Sequence, residues 1–167
     1  MDSCLQKLQD AIASASAEMS TAELMRHPEG KWSTAEVLEH LYLTYTGTIK
    51  GCERCLQEGR PLARTPALRD RISATVVIGL GFMPGGRKAP ERSTPRGMAP
   101  QDVVNAIGTM LVAMDEVIAR CEARFGQHTK LMDHPILGPL TARQWRKFHC
   151  VHGRHHVKQI WRLRGKT

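Results

Sequence analysis

Aromatic residues are scarce: two Tyr, three Phe and three Trp in 167 residues. Bases would find few stacking partners, so the formal net charge of +8 does not by itself argue for nucleic acid. The basic residues are scattered through loops and the outer face of the last helix, and a nucleic-acid partner is disfavoured. Long hydrophobic runs are also missing. The longest apolar stretch, 74–83, is broken by Thr75, Gly79 and Gly81 and falls far short of a membrane span. The first residues, MDSCLQKLQD, carry an early acid and no apolar core of a secretion signal, so a cytoplasmic protein with no membrane partner is expected.

Cysteine is sparse and odd in number, five in all. No spacing suggests a disulfide framework. Cys52 and Cys55 form a CxxC, but it falls mid-helix and has no second pair to complete a zinc knuckle. Buried free thiols are the expectation. Strand signals are few. The exception, Thr75-Val-Val-Ile78, reads equally well as part of a short helix opened by Leu68-Arg-Asp-Arg. HExxH is absent too, because Gly153 follows His152, which disfavours a zinc-protease mechanism of that type.

What is present is helical. With 41% hydrophobic and 24% charged residues the chain reads as one soluble globular domain, residues 1–167. The spacing predicts four helices. The first covers about 3–24. The second opens at a capping box, Ser33-Thr-Ala-Glu36, and ends near Gly59. The third follows Pro100 and closes at Gly126. The fourth opens at another capping box, Thr141-Ala-Arg-Gln144, and runs to about Leu163. Roughly 40 residues join helices two and three, longer than an ordinary loop. The expected fold is an all-α four-helix bundle with a long crossover between helices two and three. That connection is rich in Pro, Gly and Arg between Met83 and Pro100.

Four of the eight histidines fall in "KFHCVHGRHHVKQI", residues 147–160. At about 100° per residue, His149, His152 and His156 share a face with Trp145, Ile160 and Leu163. Lys147, Arg154, Lys158 and Arg162 take the opposite side. The imidazoles therefore point inward. His152 and His156, four apart, can bind one ion together. His149 lies about 10 Å from His156 along the axis, too far for the same pair, though it can pair with His152. His155, at the edge of the face, is a candidate supporting residue for substrate or water. A third ligand is needed, and His40 on the second helix is the best placed, in a groove beside the apolar stripe. His134-Pro135 reads as turn chemistry. A single inward histidine is usually a satisfied core residue. Several buried together without partners are costly, which favours a shared cation.

Three stretches resemble the DinB-like metalloenzyme family, which includes bacterial thiol-dependent S-transferases. They are Lys31-Trp-Ser-Thr-Ala-Glu-Val-Leu-Glu-His40-Leu, His134-Pro-Ile-Leu-Gly138-Pro-Leu-Thr141 and His152-Gly-Arg-His155-His156-Val-Lys-Gln159-Ile160. The resemblance implies an up-down-down-up bundle and a divalent ion on His40, His152 and His156. Zinc or nickel suits three imidazoles, with iron or manganese as alternatives. The expected activity is that of a metal-dependent small-molecule enzyme. It would transfer a low-molecular-weight thiol to an electrophile through metal-bound thiolate, with Arg87, Lys88 and Arg92 holding the thiol's carboxylates. A metal-hydroxide hydrolase or isomerase using metal-bound water is the alternative, and a non-catalytic metal- or ligand-binding bundle is a third. A homodimer is expected, since bundles often pair through helical faces. A structural metal would be closed by a fourth protein ligand, with His149 or Cys150 as the candidates, whereas an enzyme site keeps a position open.

Overall fold

The computed structural model describes residues 1–81 and 89–165. Six α-helices form among them: α1 Ser3–Ser16, α2 Thr21–Met25, α3 Thr34–Gln57, α4 Leu68–Ala74, α5 Pro100–Phe125 and α6 Ala142–Leu163. A π-helical turn at Thr75–Gly79 continues α4, and a 3-10 turn at Glu91–Ser93 precedes α5. Strands β1, Lys130–His134, and β2, Gly138–Thr141, pair antiparallel, with Met132 opposite Leu140 and His134 opposite Gly138.

The helix ends follow local chemistry. Ser33 and Glu36 form a reciprocal capping box at α3, and Thr141 and Gln144 form one at α6; each satisfies backbone donors that the first turn leaves unpaired. Pro100 opens α5, and Gly126, at φ 93°, lets the chain leave it. The predicted first helix is in fact two. The chain breaks at residues 17–20, where Glu18 takes φ 58°, and Ser20 and Glu23 cap a new helix. The tetrapeptide Ser-Thr-Ala-Glu begins both α2 and α3, so the break was written in the same four letters as the start read correctly.

The all-α expectation needs correction by the β1–β2 hairpin. Its strands are four and five residues long, and Leu131 and Met132 are buried in succession, so no alternation marks them. Pro139 and Gly138 read as turn residues yet sit in a two-stranded edge where no further ladder is lost. Thr75–Ile78 takes the helical alternative.

The long helices α1, α3, α5 and α6 share one core. Packing is most extensive between α3 and α5 and between α1 and α6. Leu5, Leu8, Leu38, Leu41, Tyr45, Leu111, Met114 and Ile118 are fully buried, each aliphatic side chain among them contributing about 1.5–3 kcal/mol. At Gly153 a Cβ would stand 2.5 Å from Leu8 Cδ2, so the absent side chain is what lets α6 seat on α1. Arg146 ties α6 to α5 through Asp115 and Glu122, both at 2.6 Å.

Cys4 on α1 and Cys150 on α6 form a disulfide, with Cα atoms 6.1 Å apart. This corrects the expectation of free thiols for these two. Their separation of 146 residues gives no sequence signal, because only the α1–α6 packing brings them together. Cys52, Cys55 and Cys121 are buried free thiols as expected. Burial pushes all three thiols up, so they are not nucleophiles at neutral pH. No described helix is long and apolar enough to cross a membrane.

Candidate metal centre

His40 stands two turns into α3, and His152 and His156 lie one turn apart on α6. Packing across the shared core brings the two helices together so that the three rings meet edge to face. His152 Nε2 lies 3.1 Å from His40 Nε2 and 3.1 Å from His156 Nε2. The rings are 4, 9 and 8% exposed for His40, His152 and His156.

The tautomers decide what these contacts mean. His40 Nδ1–H donates to the Ser93 carbonyl at 2.7 Å, so its Nε2 carries the lone pair. His156 Nδ1–H donates to Gln159 Oε1 at 3.0 Å, so its Nε2 is likewise a lone pair. Both lone pairs face one nitrogen of His152, which holds at most one proton there when neutral. At least one contact therefore sets lone pair against lone pair.

Protonation does not resolve the conflict. Burial holds the His40 imidazole below its ordinary pKa, against the opposing pull of the Ser93 carbonyl. Burial, then the nearby His40, brings His156 down to about 3. Burial and the neighbouring His156 and His40 put His152 well below its usual range. Three neutral imidazoles remain, and a cation among them satisfies all three lone pairs. Tetrahedral ligands at about 2.0–2.1 Å from zinc lie about 3.3 Å apart, close to the 3.1 Å that separates His152 Nε2 from each of the other two. The three histidines are a group that could hold a metal ion.

Comparison with known proteins places the chain in a family. The profile described as a protein of unknown function (DUF1569) matches residues 3–162. The chain belongs to the DUF1569 family. No curated protein and no solved structure matches it.

In this DUF1569 chain the other histidines have separate tasks. His149 is fully buried, and its Nε2 meets Thr48 Oγ1 at 3.0 Å. Burial brings it down to about 3. It does not join the three. Cys150 is taken by Cys4, so neither candidate fourth ligand closes the site. Among the described residues the group has three members, and it lines a cleft of about 1240 Å³. His155 is half-buried, packs edge-on to His156 with ring centroids 5.2 Å apart, and lines the same cleft. Arg92 is exposed and lines the cleft. Arg87 and Lys88 lie outside the described residues.

Three residues support the ligands in roles that the sequence did not assign. Ser93 orients His40 from the 3-10 turn, and Gln159 orients His156 from one turn along α6. Glu39 acts one step further out. Its carboxylate accepts the backbone N–H groups of Arg96, Gly97 and Met98 at 2.7, 3.1 and 3.1 Å. That clamp fixes the segment whose Ser93 carbonyl holds His40. The signal available was a glutamate beside a metal histidine, but its partners lie 57–59 positions away. Glu39→Ala should free this segment and weaken metal binding about 10–100-fold, the usual cost of losing a ligand's outer support, although all three ligands remain. Competition against a calibrated chelator measures it. Unchanged affinity would mean that the Glu39 clamp does not set the His40 ring.

Proposed function

We propose that this DUF1569 chain is a metal-dependent enzyme that transfers a low-molecular-weight thiol to an electrophilic small molecule. The observation that carries the reading is the convergence of three Nε2 atoms, two with their lone pairs fixed by Nδ1 hydrogen bonds, at the wall of an open cleft. A divalent ion there, zinc or nickel by donor type, would favour the thiolate form of a bound thiol at neutral pH, and only the thiolate is a good nucleophile. The likeness of the three histidine-bearing stretches to the DinB-like family supports the same reading, including its up-down-down-up helix order.

The chain's own residues supply binding and orientation. Ser93 and Gln159 hold two ligand rings in place. Trp32 and Phe148 give the cleft apolar faces beside His40 and His152, with ring centroids 5.2 and 5.3 Å away. Arg92 supplies a positive charge for an anionic group. In the reaction the thiol gives up its proton to solvent, one S–C bond forms, and the electrophile's leaving group departs with the electron pair of the bond it breaks. A metal-bound hydroxide would form at the same ion without a carboxylate base. Asp133 is the one acid among the described residues lining the cleft, with Arg64 Nε at 3.7 Å, and it is the likeness of the three histidine-bearing stretches that puts the thiol reading ahead.

The test is the rate of thioether formation from a small thiol and an activated aryl halide, with metal-loaded and chelator-treated protein side by side. Metal-dependent acceleration that disappears in His40→Ala is expected. Equal rates with and without metal would overturn the reading.

A further inference from the structure

His134, which reads in the sequence as turn chemistry, is held in an unusual way. Its Nδ1 accepts two backbone N–H groups, from Ile136 and Leu137, both at 3.1 Å. These bonds build the tight connection between β1 and β2. They also fix the tautomer: with Nδ1 accepting, the hydrogen must sit on Nε2, on the opposite ring edge. The ring packs on Phe148 at 4.3 Å and on Trp145 at 5.6 Å between centroids. It cannot turn without breaking the hairpin.

His134 lines the same cleft as the three-histidine group. One phenyl ring separates the two: Phe148 touches His134 on one side and stacks on His152 at 5.3 Å and 12° on the other. Arg92 lines the cleft as well, and burial, then the positive charge of Arg92, brings His134 down to about 4. The imidazole is therefore a neutral donor with a cation lining the same cleft. Asp133, the acid next in sequence, also lines the cleft, with Arg64 Nε at 3.7 Å.

We propose that His134 Nε2–H and Arg92 together bind a carboxylate on the ligand whose thiol sits at the three-histidine centre, so that the cleft selects thiols with an anionic tail one ring's width from the sulfur. This rests on the thiol reading above. A charge-assisted hydrogen bond and a cation lining the same cleft favour an anion over an alcohol by about 10–100-fold.

The test uses the full chain loaded with cobalt(II), whose thiolate charge-transfer band reports thiol binding. The probes are ω-mercaptoalkanoates and ω-mercaptoalkanols of matched chain length. His134→Asn is the informative variant. An asparagine Oδ1 can still accept turn N–H groups, but nothing then reaches the Nε2 position. Arg92→Gln is the second variant, at an exposed residue that carries no part of the turn. Wild type should prefer the carboxylate about 10–100-fold, at one optimal chain length, and both variants should bring carboxylate and alcohol to within a few-fold of each other. Thiol binding with no carboxylate preference in wild type would overturn this inference and leave the thiol reading standing. A preference that survives in His134→Asn would reduce His134 to a turn residue and overturn it equally. No thiolate band with any probe would overturn both readings.

Discussion

His152→Ala should abolish stoichiometric metal binding while leaving the fold in place. His152 is the middle member of the group, within 3.1 Å of both other Nε2 atoms. Without it, two imidazoles from different helices remain, and affinity should fall by more than the about 10–100-fold that loss of an outer partner costs. The effect on stability should be small by comparison. His152 faces a cleft, and its Nδ1 is a buried polar atom with no hydrogen-bond partner in the protein, so its removal also removes a desolvation cost of about 1–3 kcal/mol. Metal-free His152→Ala should unfold within about 2 kcal/mol of metal-free wild type. Mass spectrometry of the metal and urea unfolding check the two halves separately. Retained metal would place the ion elsewhere, and loss of the fold would make this ring a structural element of α6.

Acid should unfold the metal-free protein well before its carboxylates are all protonated. His149 and His156 are held near 3 and His152 well below its ordinary range, each chiefly by burial. Unfolded, these groups take up protons below about pH 6.5. The folded state refuses those protons, so the stability they contribute is complete above about pH 6.5 and drains away as pH falls toward about 3. Each histidine costs about 1.4 kcal/mol per pH unit in that window, so three together cost roughly 4 kcal/mol per pH unit. Against a domain stability of about 5–10 kcal/mol, the midpoint falls between about pH 4 and about pH 5. Urea midpoints recorded across this range should drop steeply below about pH 6.5. A flat profile down to about pH 4.5 would show that these rings are not held neutral by burial.

The parts of the fold carried by local chemistry were legible. Ser33 and Thr141 announced α3 and α6 because a capping box needs only four consecutive residues, and Pro100 and Gly126 bracketed α5 by backbone restriction alone. The inward face of α6 followed from periodicity, and with it His152 and His156. His40 came from its position beside an apolar stripe. What failed was what distance in sequence hides. The Cys4–Cys150 bridge, the Ser93 carbonyl on His40 Nδ1 and the Glu39 clamp all join residues more than fifty positions apart. The hairpin failed for another reason: Leu131 and Met132 are both buried, so its short strand lacks the alternation by which strands are read. His134 was half legible. Its turn role followed from the Pro that comes next, whereas its place beside Phe148 in the cleft needed the fold to be seen.

The most direct test of the three-histidine centre is a metal count on untagged protein by mass spectrometry, wild type beside His40→Ala and His156→Ala. About one divalent ion per chain in wild type, lost in both variants, is the result that three converging Nε2 atoms predict. Wild-type protein without stoichiometric metal after reconstitution, or variants that keep it, would contradict the account and leave a histidine-lined cleft in its place.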